Sequence, residues 1–144
     1  MRAKLLPAAF FACLMPLAIA MAAVPIPDAP LKIEGAAELD YEGVLDLIES
    51  RHDLVIVDNR PRADYDRGHI EGAVNILNTD LTAAVLSLYV ADKHTPVLFY
   101  CRGLTCGRSA SAVRAALDWG YTDVYYYALG MDDWRSQGMP AVRN

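Results

Sequence analysis

The sequence predicts an α/β fold, a mostly parallel central sheet with helices on both faces. Three observations carry that expectation. Short, continuous apolar runs at Leu54–Val57, Val97–Tyr100 and Val124–Tyr127 have the composition of strands buried on both faces. Between them lie segments whose apolar residues recur at helical spacing. Strand and helix therefore alternate along almost the whole chain, the order that builds a parallel sheet.

The first segment stands outside that pattern. Arg2 and Lys4 precede an apolar run from Leu5 to Ala23, broken by Pro16 and ending among alanines. Charge, a short apolar stretch and an A-x-A-like site make up a secretory signal, here residues 1–22 with cleavage after Ala22. A cut after Ala20 fits nearly as well. The alternative is an uncleaved anchor, since a bilayer needs roughly 20 apolar residues; Pro16 and the alanine cluster favour cleavage. Lipidation at Cys13 would require a better-formed and later site. The mature chain is thus expected to be exported, periplasmic where the cell has an outer membrane and secreted otherwise, with no stable membrane insertion.

Residues 23–38, with Pro25, Pro27 and Pro30, read as an extended leader, and residues 39–144 as one domain. Asp40 is placed to cap a helix whose apolar face is Val44, Leu45, Leu47 and Ile48. The strand Leu54–Val57 follows, then a polar, turn-rich stretch from Arg60 to Gly68 and a short strand at Ala73–Ile76. A helix is expected from about Asp80 to Val90, capped by Thr79 or Asp80, with Leu81, Val85 and Leu88 on one face. Pro96 precedes the strand Val97–Tyr100. The loop from Cys101 to Arg108 opens into a helix over Ser109–Trp119, closed by Gly120 just past its end. The strand Val124–Tyr127 and a short helix containing Trp134 complete the order.

Loss of Arg2 and Lys4 with the signal leaves 11 basic residues against 18 acidic ones, a net charge of −7. Nucleic-acid binding needs clustered Lys and Arg, so no nucleic-acid partner is expected. The mature chain keeps two cysteines, Cys101 and Cys106. In an exported protein such a pair fits a disulfide as well as a reactive site.

The chemistry points to Cys101, where a strand ends and a loop leads into a helix. Ligands of open α/β sheets bind beyond the carboxyl ends of strands. Gly103 and Gly107 let loop N–H groups converge, and the helix start adds its dipole and unpaired donors. Such surroundings favour a thiolate. Arg102 and Arg108 add positive charge, so the pocket formed with Leu104, Thr105 and Ser109 suits an anionic substrate. A buried, inert cysteine is the bland alternative. Gly103-x-x-x-Gly107-Arg-Ser half-resembles a nucleotide-binding loop, but it is one spacer short and has Arg in place of Lys. His52, His69 and His94 match no ligand spacing, and neither a metal nor a cofactor is expected.

These residues together resemble a known family. Asp58-Asn-Arg60-Pro-Arg-Ala-Asp-Tyr65, followed by Gly68-His-Ile-Glu-Gly72-Ala73, is similar to the first signature of the rhodanese-like domain. Phe99-Tyr100-Cys101 with Gly107-Arg108-Ser109 resembles its active-site loop. Gly120-Tyr121, Gly130-Met-Asp-Asp-Trp134 and Gly138-Met-Pro140 resemble its closing signature, so the likeness runs from about Leu39 to Val142. It implies that Cys101 accepts a sulfane sulfur from a small sulfur-containing anion such as thiosulfate and passes it to a thiol or cyanide. It also implies that Asp58 and Arg60 form a structural ion pair beneath the loop and that His69 locks a turn. Trp134 and the run Tyr125–Tyr127 read as core and sheet residues.

The loop departs from the family pattern. Rhodanese loops place Ser six residues after the cysteine, whereas Ser109 lies eight after Cys101. The phosphatase relatives carry C-x5-R, and this chain has C-x6-R. A pocket wider than usual is the expectation. The extra cysteine suggests persulfide or redox chemistry in which Cys106 resolves an adduct on Cys101. Three function classes stay open: a sulfurtransferase or persulfide carrier, a thiol–disulfide redox or sensing protein, and a non-catalytic binding module with a structural disulfide. Any protein partner is unspecified.

Overall fold

The computed structural model describes residues 28–144; the signal segment lies outside the described residues. Five strands, β1 (Ala37–Glu38), β2 (Val55–Asp58), β3 (Val74–Asn75), β4 (Val97–Tyr100) and β5 (Val124–Tyr127), form one sheet in the order β1-β5-β4-β2-β3. Every pairing is parallel. The helices are α1 (Tyr41–Ser50), α2 (Arg62–Asp66), α3 (Ala83–Ser87), α4 (Arg108–Asp118) and α5 (Gly130–Ser136).

Alternation along the strands divides the core in two. Val57, Val97, Phe99, Val124 and Tyr126 pack with α3 and α4. Ile56, Leu98, Tyr100 and Tyr127 face the other way, against α1, α2 and α5. β4 is buried at all four residues because it has a strand on each side and helices on both faces.

The caps act as the sequence predicts at two points. Asp40 Oδ1 accepts from Gly43 N at 2.9 Å and starts α1. α4 ends in a Schellman motif: Gly120 N donates to Leu117 O and Tyr121 N to Ala116 O, with Gly120 at φ +86°.

Three expectations are corrected. The helix expected over Asp80–Val90 shrinks to Ala83–Ser87, because Thr82 rather than Thr79 or Asp80 supplies the cap, its Oγ1 accepting from Val85 N. Leu86 is its buried residue, while Leu88 is 80 % exposed. Within the stretch expected to be turns, Arg62–Asp66 forms α2, whose single buried side chain is Tyr65. Of the stretch expected to be an extended leader, residues 28–38 pack against the domain. Ile33 is buried in the core, Tyr126 Oη donates to Pro30 O, and β1 pairs with β5.

Candidate active site

The site is built where β2 and β4 end side by side. Asp58 pairs in register with Tyr100, so the residues that follow each strand, Asn59-Arg60 and Cys101-Arg102, emerge together. Cys101, Arg102, Thr105, Cys106 and Arg108 line a cleft of about 140 Å³ with Arg60, Pro61 and Asp64. Three arginines against one carboxylate among the lining residues make it a place for an anion.

Cys101 and Cys106 are joined by a disulfide, with their Cα atoms 6.3 Å apart. Both are buried, Cys101 at 1 % exposure and Cys106 at 5 %. The longer loop is closed on itself by this bond. The covalent bond, with Cys106 N donating to Gly103 O, draws it into a compact turn. Neither Gly103 nor Gly107 has positive φ, and of the loop amides that of Cys106 is spent within the turn. The start of α4 supplies further donors. Its first intrahelical bond runs from Ser111 N to Gly107 O, and the amides before it have no acceptor within the helix.

Two backbone supports hold the loop. At the start of α5, Met131 N donates to Cys101 O at 3.0 Å and Asp132 N to Arg102 O at 2.8 Å. This approach requires a glycine at position 130. A Cβ there would lie 2.4 Å from Cys101 O, and the residue adopts φ +58°. Gly103 is also tightly packed, though less so, with Leu129 O 3.1 Å from where its Cβ would be. On the outer side Ala29 N donates to Leu104 O at 2.7 Å, so the segment before β1 straps the loop.

The charged side chains form two layers. Below the cleft, Arg60 and Asp58 are fully buried and paired at 2.6 Å. Arg60 also donates to Gly68 O, and Asp58 Oδ2 accepts from Tyr100 Oη at 2.7 Å. Burial, with the Asp58 charge beside it, pushes the Tyr100 phenol far above its ordinary range, so it stays a neutral donor. At the rim, Asp64 receives Arg102 at 3.0 Å and also pairs with Arg67. Burial pushes the Asp64 carboxyl up, but the Arg102 hydrogen bond and the Arg67 and Arg60 charges outweigh it and hold it below the usual range. Arg108 Nη1 lies 3.6 Å from Cys106 Sγ.

Most residues expected at the site come together there, but not all reach the cleft. Ser109 is 1 % exposed and lies within the core side of α4. Gly103, Leu104 and Gly107 shape the turn without lining the cleft. His69 Nδ1 donates to Tyr65 O, its ring stacks on Tyr65, and its backbone pairs with Val142. Arg60, expected only as a structural partner, also lines the cleft. Asp64 was not foreseen, although it sits in the same motif, in the first turn of α2.

With this geometry in view, the chain belongs to the rhodanese-like domain family, whose model matches residues 40–137. Similar proteins include the HTH-type transcriptional regulator Rv0324 of Mycobacterium tuberculosis, 38 % identical over 88 residues, 61 % of this chain and 37 % of the regulator. The uncharacterized protein YibN of Escherichia coli is 30 % identical over 65 % of this chain and 64 % of its own. The chain therefore spans only about a third to two thirds of these first relatives. Thiosulfate sulfurtransferase GlpE of Coxiella burnetii is 33 % identical over 63 % of this chain and 79 % of its own.

Among solved structures, a thiosulfate sulfurtransferase from Pseudomonas aeruginosa aligns with TM-score 0.66 and 25 % identity, over 75 % of this chain and 20 % of the other. A rhodanese with anions from E. coli aligns with TM-score 0.53 and 29 % identity, over 63 % of this chain and 99 % of the other. This is a rhodanese-like domain with sulfurtransferases among its distant relatives.

Proposed function

We propose that the protein is a sulfurtransferase or persulfide carrier. The Cys101 thiolate attacks the sulfane sulfur of a small anion such as thiosulfate, sulfite leaves with the electron pair of the broken S–S bond, and Cys101 keeps the transferred sulfur as a persulfide. The terminal sulfur then passes to a thiol or cyanide. The observation that carries this reading is the position of Cys101 at the end of β4, in a cleft bordered by Arg60, Arg102 and Arg108. The arginines attract the doubly charged donor and stabilise charge on the leaving sulfite. No metal or cofactor enters the reaction.

The test is a mass measurement. Protein reduced beforehand and incubated with thiosulfate gains one sulfur atom or releases sulfite in equal amount, and Cys101→Ser does neither. Sulfur loading that persists in Cys101→Ser overturns the assignment. A second reading, a thiol–disulfide redox protein, is favoured by the Cys101–Cys106 bond. It predicts exchange with a dithiol substrate and no reaction with thiosulfate.

Export is also part of the proposal, on the strength of Arg2, Lys4, Pro16 and the alanine cluster. Among the described residues no helix is long and apolar enough to cross a membrane. N-terminal sequencing of the protein recovered outside the cytoplasm is expected to start at Ala23. A mature chain beginning near Met1 in the membrane fraction overturns it.

A further inference from the structure

We infer that Cys106 is the first acceptor of the sulfur-transfer reaction, so that the protein reduces sulfane sulfur to sulfide by itself and ends each turnover as the Cys101–Cys106 disulfide. The inference rests on the reading of Cys101 as the sulfur acceptor and adds a second chemical step. In that step the Cys106 thiolate attacks Cys101 Sγ, and a new Cys101–Cys106 bond forms. The bond between Cys101 Sγ and the carried sulfur breaks, and that sulfur departs as hydrosulfide. Over both steps thiosulfate and the two thiols give sulfite, hydrosulfide, the disulfide and a proton. The two cysteines lose two electrons, and the sulfane sulfur gains them. An external thiol must then reduce the pair before another round.

Three observations support this step. The two sulfurs are bonded in the folded domain, so the loop brings Cys106 to the atom it must attack. Arg108, the first residue of α4, places its guanidinium 3.6 Å from Cys106 Sγ, where it favours negative charge on the attacking sulfur. The cleft is small, and both cysteines lie almost wholly below the surface. An external thiol must enter the cleft to reach Cys101, whereas Cys106 is already inside. A tethered nucleophile at the reacting atom has the advantage of an intramolecular reaction over one arriving from solution. Cys106 lies in a loop two residues longer than the family pattern, and the Ala29–Leu104 hydrogen bond holds its turn from outside.

A single-turnover experiment tests the inference. Reduced full-length protein, freed of reductant without oxygen, is mixed with thiosulfate. Sulfite, sulfide, intact mass and free thiols are then followed together. The expected result is sulfide equal to sulfite, one of each per chain, with a final mass two hydrogens below the reduced protein. Without thiosulfate both thiols persist. Cys106→Ser and Cys106→Ala stop at the persulfide, with sulfite released, one sulfur gained and no sulfide. Sulfite without sulfide from the wild-type protein, with a stable persulfide on Cys101 or a sulfur moved intact onto Cys106, overturns the inference and leaves the sulfurtransferase reading standing. No sulfite and no added sulfur in any variant overturns both. The wild-type ratio of sulfide to sulfite decides the matter even if a variant fails to fold.

Discussion

The phenol of Tyr100 donates to Asp58 Oδ2 at 2.7 Å, joining the last residue of β4 to the last residue of β2 directly beneath Cys101. The same phenolic oxygen accepts from Ile70 N at 3.1 Å. One hydroxyl thus satisfies a buried carboxylate and a buried amide. Tyr100→Phe keeps the ring and strands the Ile70 N–H. Leaving such a group unpaired costs about 1–3 kcal/mol. Urea unfolding is expected to show a loss of that size with no change in slope.

Asp58 and Arg60 form a fully buried ion pair. Removing one member leaves an uncompensated charge, at a cost of about 3–5 kcal/mol. Arg60→Met is expected to destabilise by that amount. Asp58→Leu with Arg60→Met is expected to lose much less than the two single changes combined. Additive losses in a double-mutant cycle count against coupling of the pair.

Gly130 and Gly120 separate two kinds of glycine requirement. Nothing lies within 4 Å of a Cβ at Gly120, so Gly120→Ala meets only its positive φ, about 1 kcal/mol. At Gly130 the methyl group would also strike Cys101 O, and overpacking adds about 1–3 kcal/mol. Gly130→Ala is therefore expected to lose sulfur loading of Cys101 as well as stability, while Gly120→Ala loses stability alone. Loading rates and melting curves measured on both variants check this.

The Asp64 carboxyl, only 13 % exposed, is held below its ordinary range in the fold. A group depressed on folding contributes stability above its unfolded value of about 3.9 and loses it as pH falls through the folded value. The wild-type protein is expected to lose stability as pH falls below about 4, and Asp64→Asn to show a shallower loss over that range. Identical pH slopes in urea unfolding would rule out the Asp64–Arg102 link as a contributor.

Much of this architecture was legible in the residues. β4 and β5 have the bounds their apolar runs predict, because strands buried on both faces leave polar residues only at their ends. Asp40 and Gly120 mark helix ends through local chemistry that needs no tertiary context. What escaped depends on contacts distant in sequence. β1 is two residues with no pattern of its own, held by the backbone of β5. α2 has one buried side chain, too few for a period. Thr82 outcompeted Thr79 and Asp80 as a cap because Leu77 O already binds the amides of Asp80 and Leu81 in a turn. At the site, position relative to the strand end marked Cys101, but a C-x4-C spacing fits free thiols and a bond alike. That Arg60 serves both the ion pair and the cleft follows from the register of β2 against β4, which the chain order does not reveal.

The two-residue edge strand β1 has a consequence for solubility. β5 reads Val-Tyr-Tyr-Tyr, an aromatic, uncharged strand. Two residues of β1 cover its outer edge, and the last of them is Glu38. A fragment trimmed to the family match at residues 40–137 would leave that edge bare. Open edges of this composition recruit other chains by backbone pairing. Ala37 and Glu38 are thus a guard against self-association: without them the domain would offer β5 to its neighbours and lose its solitude.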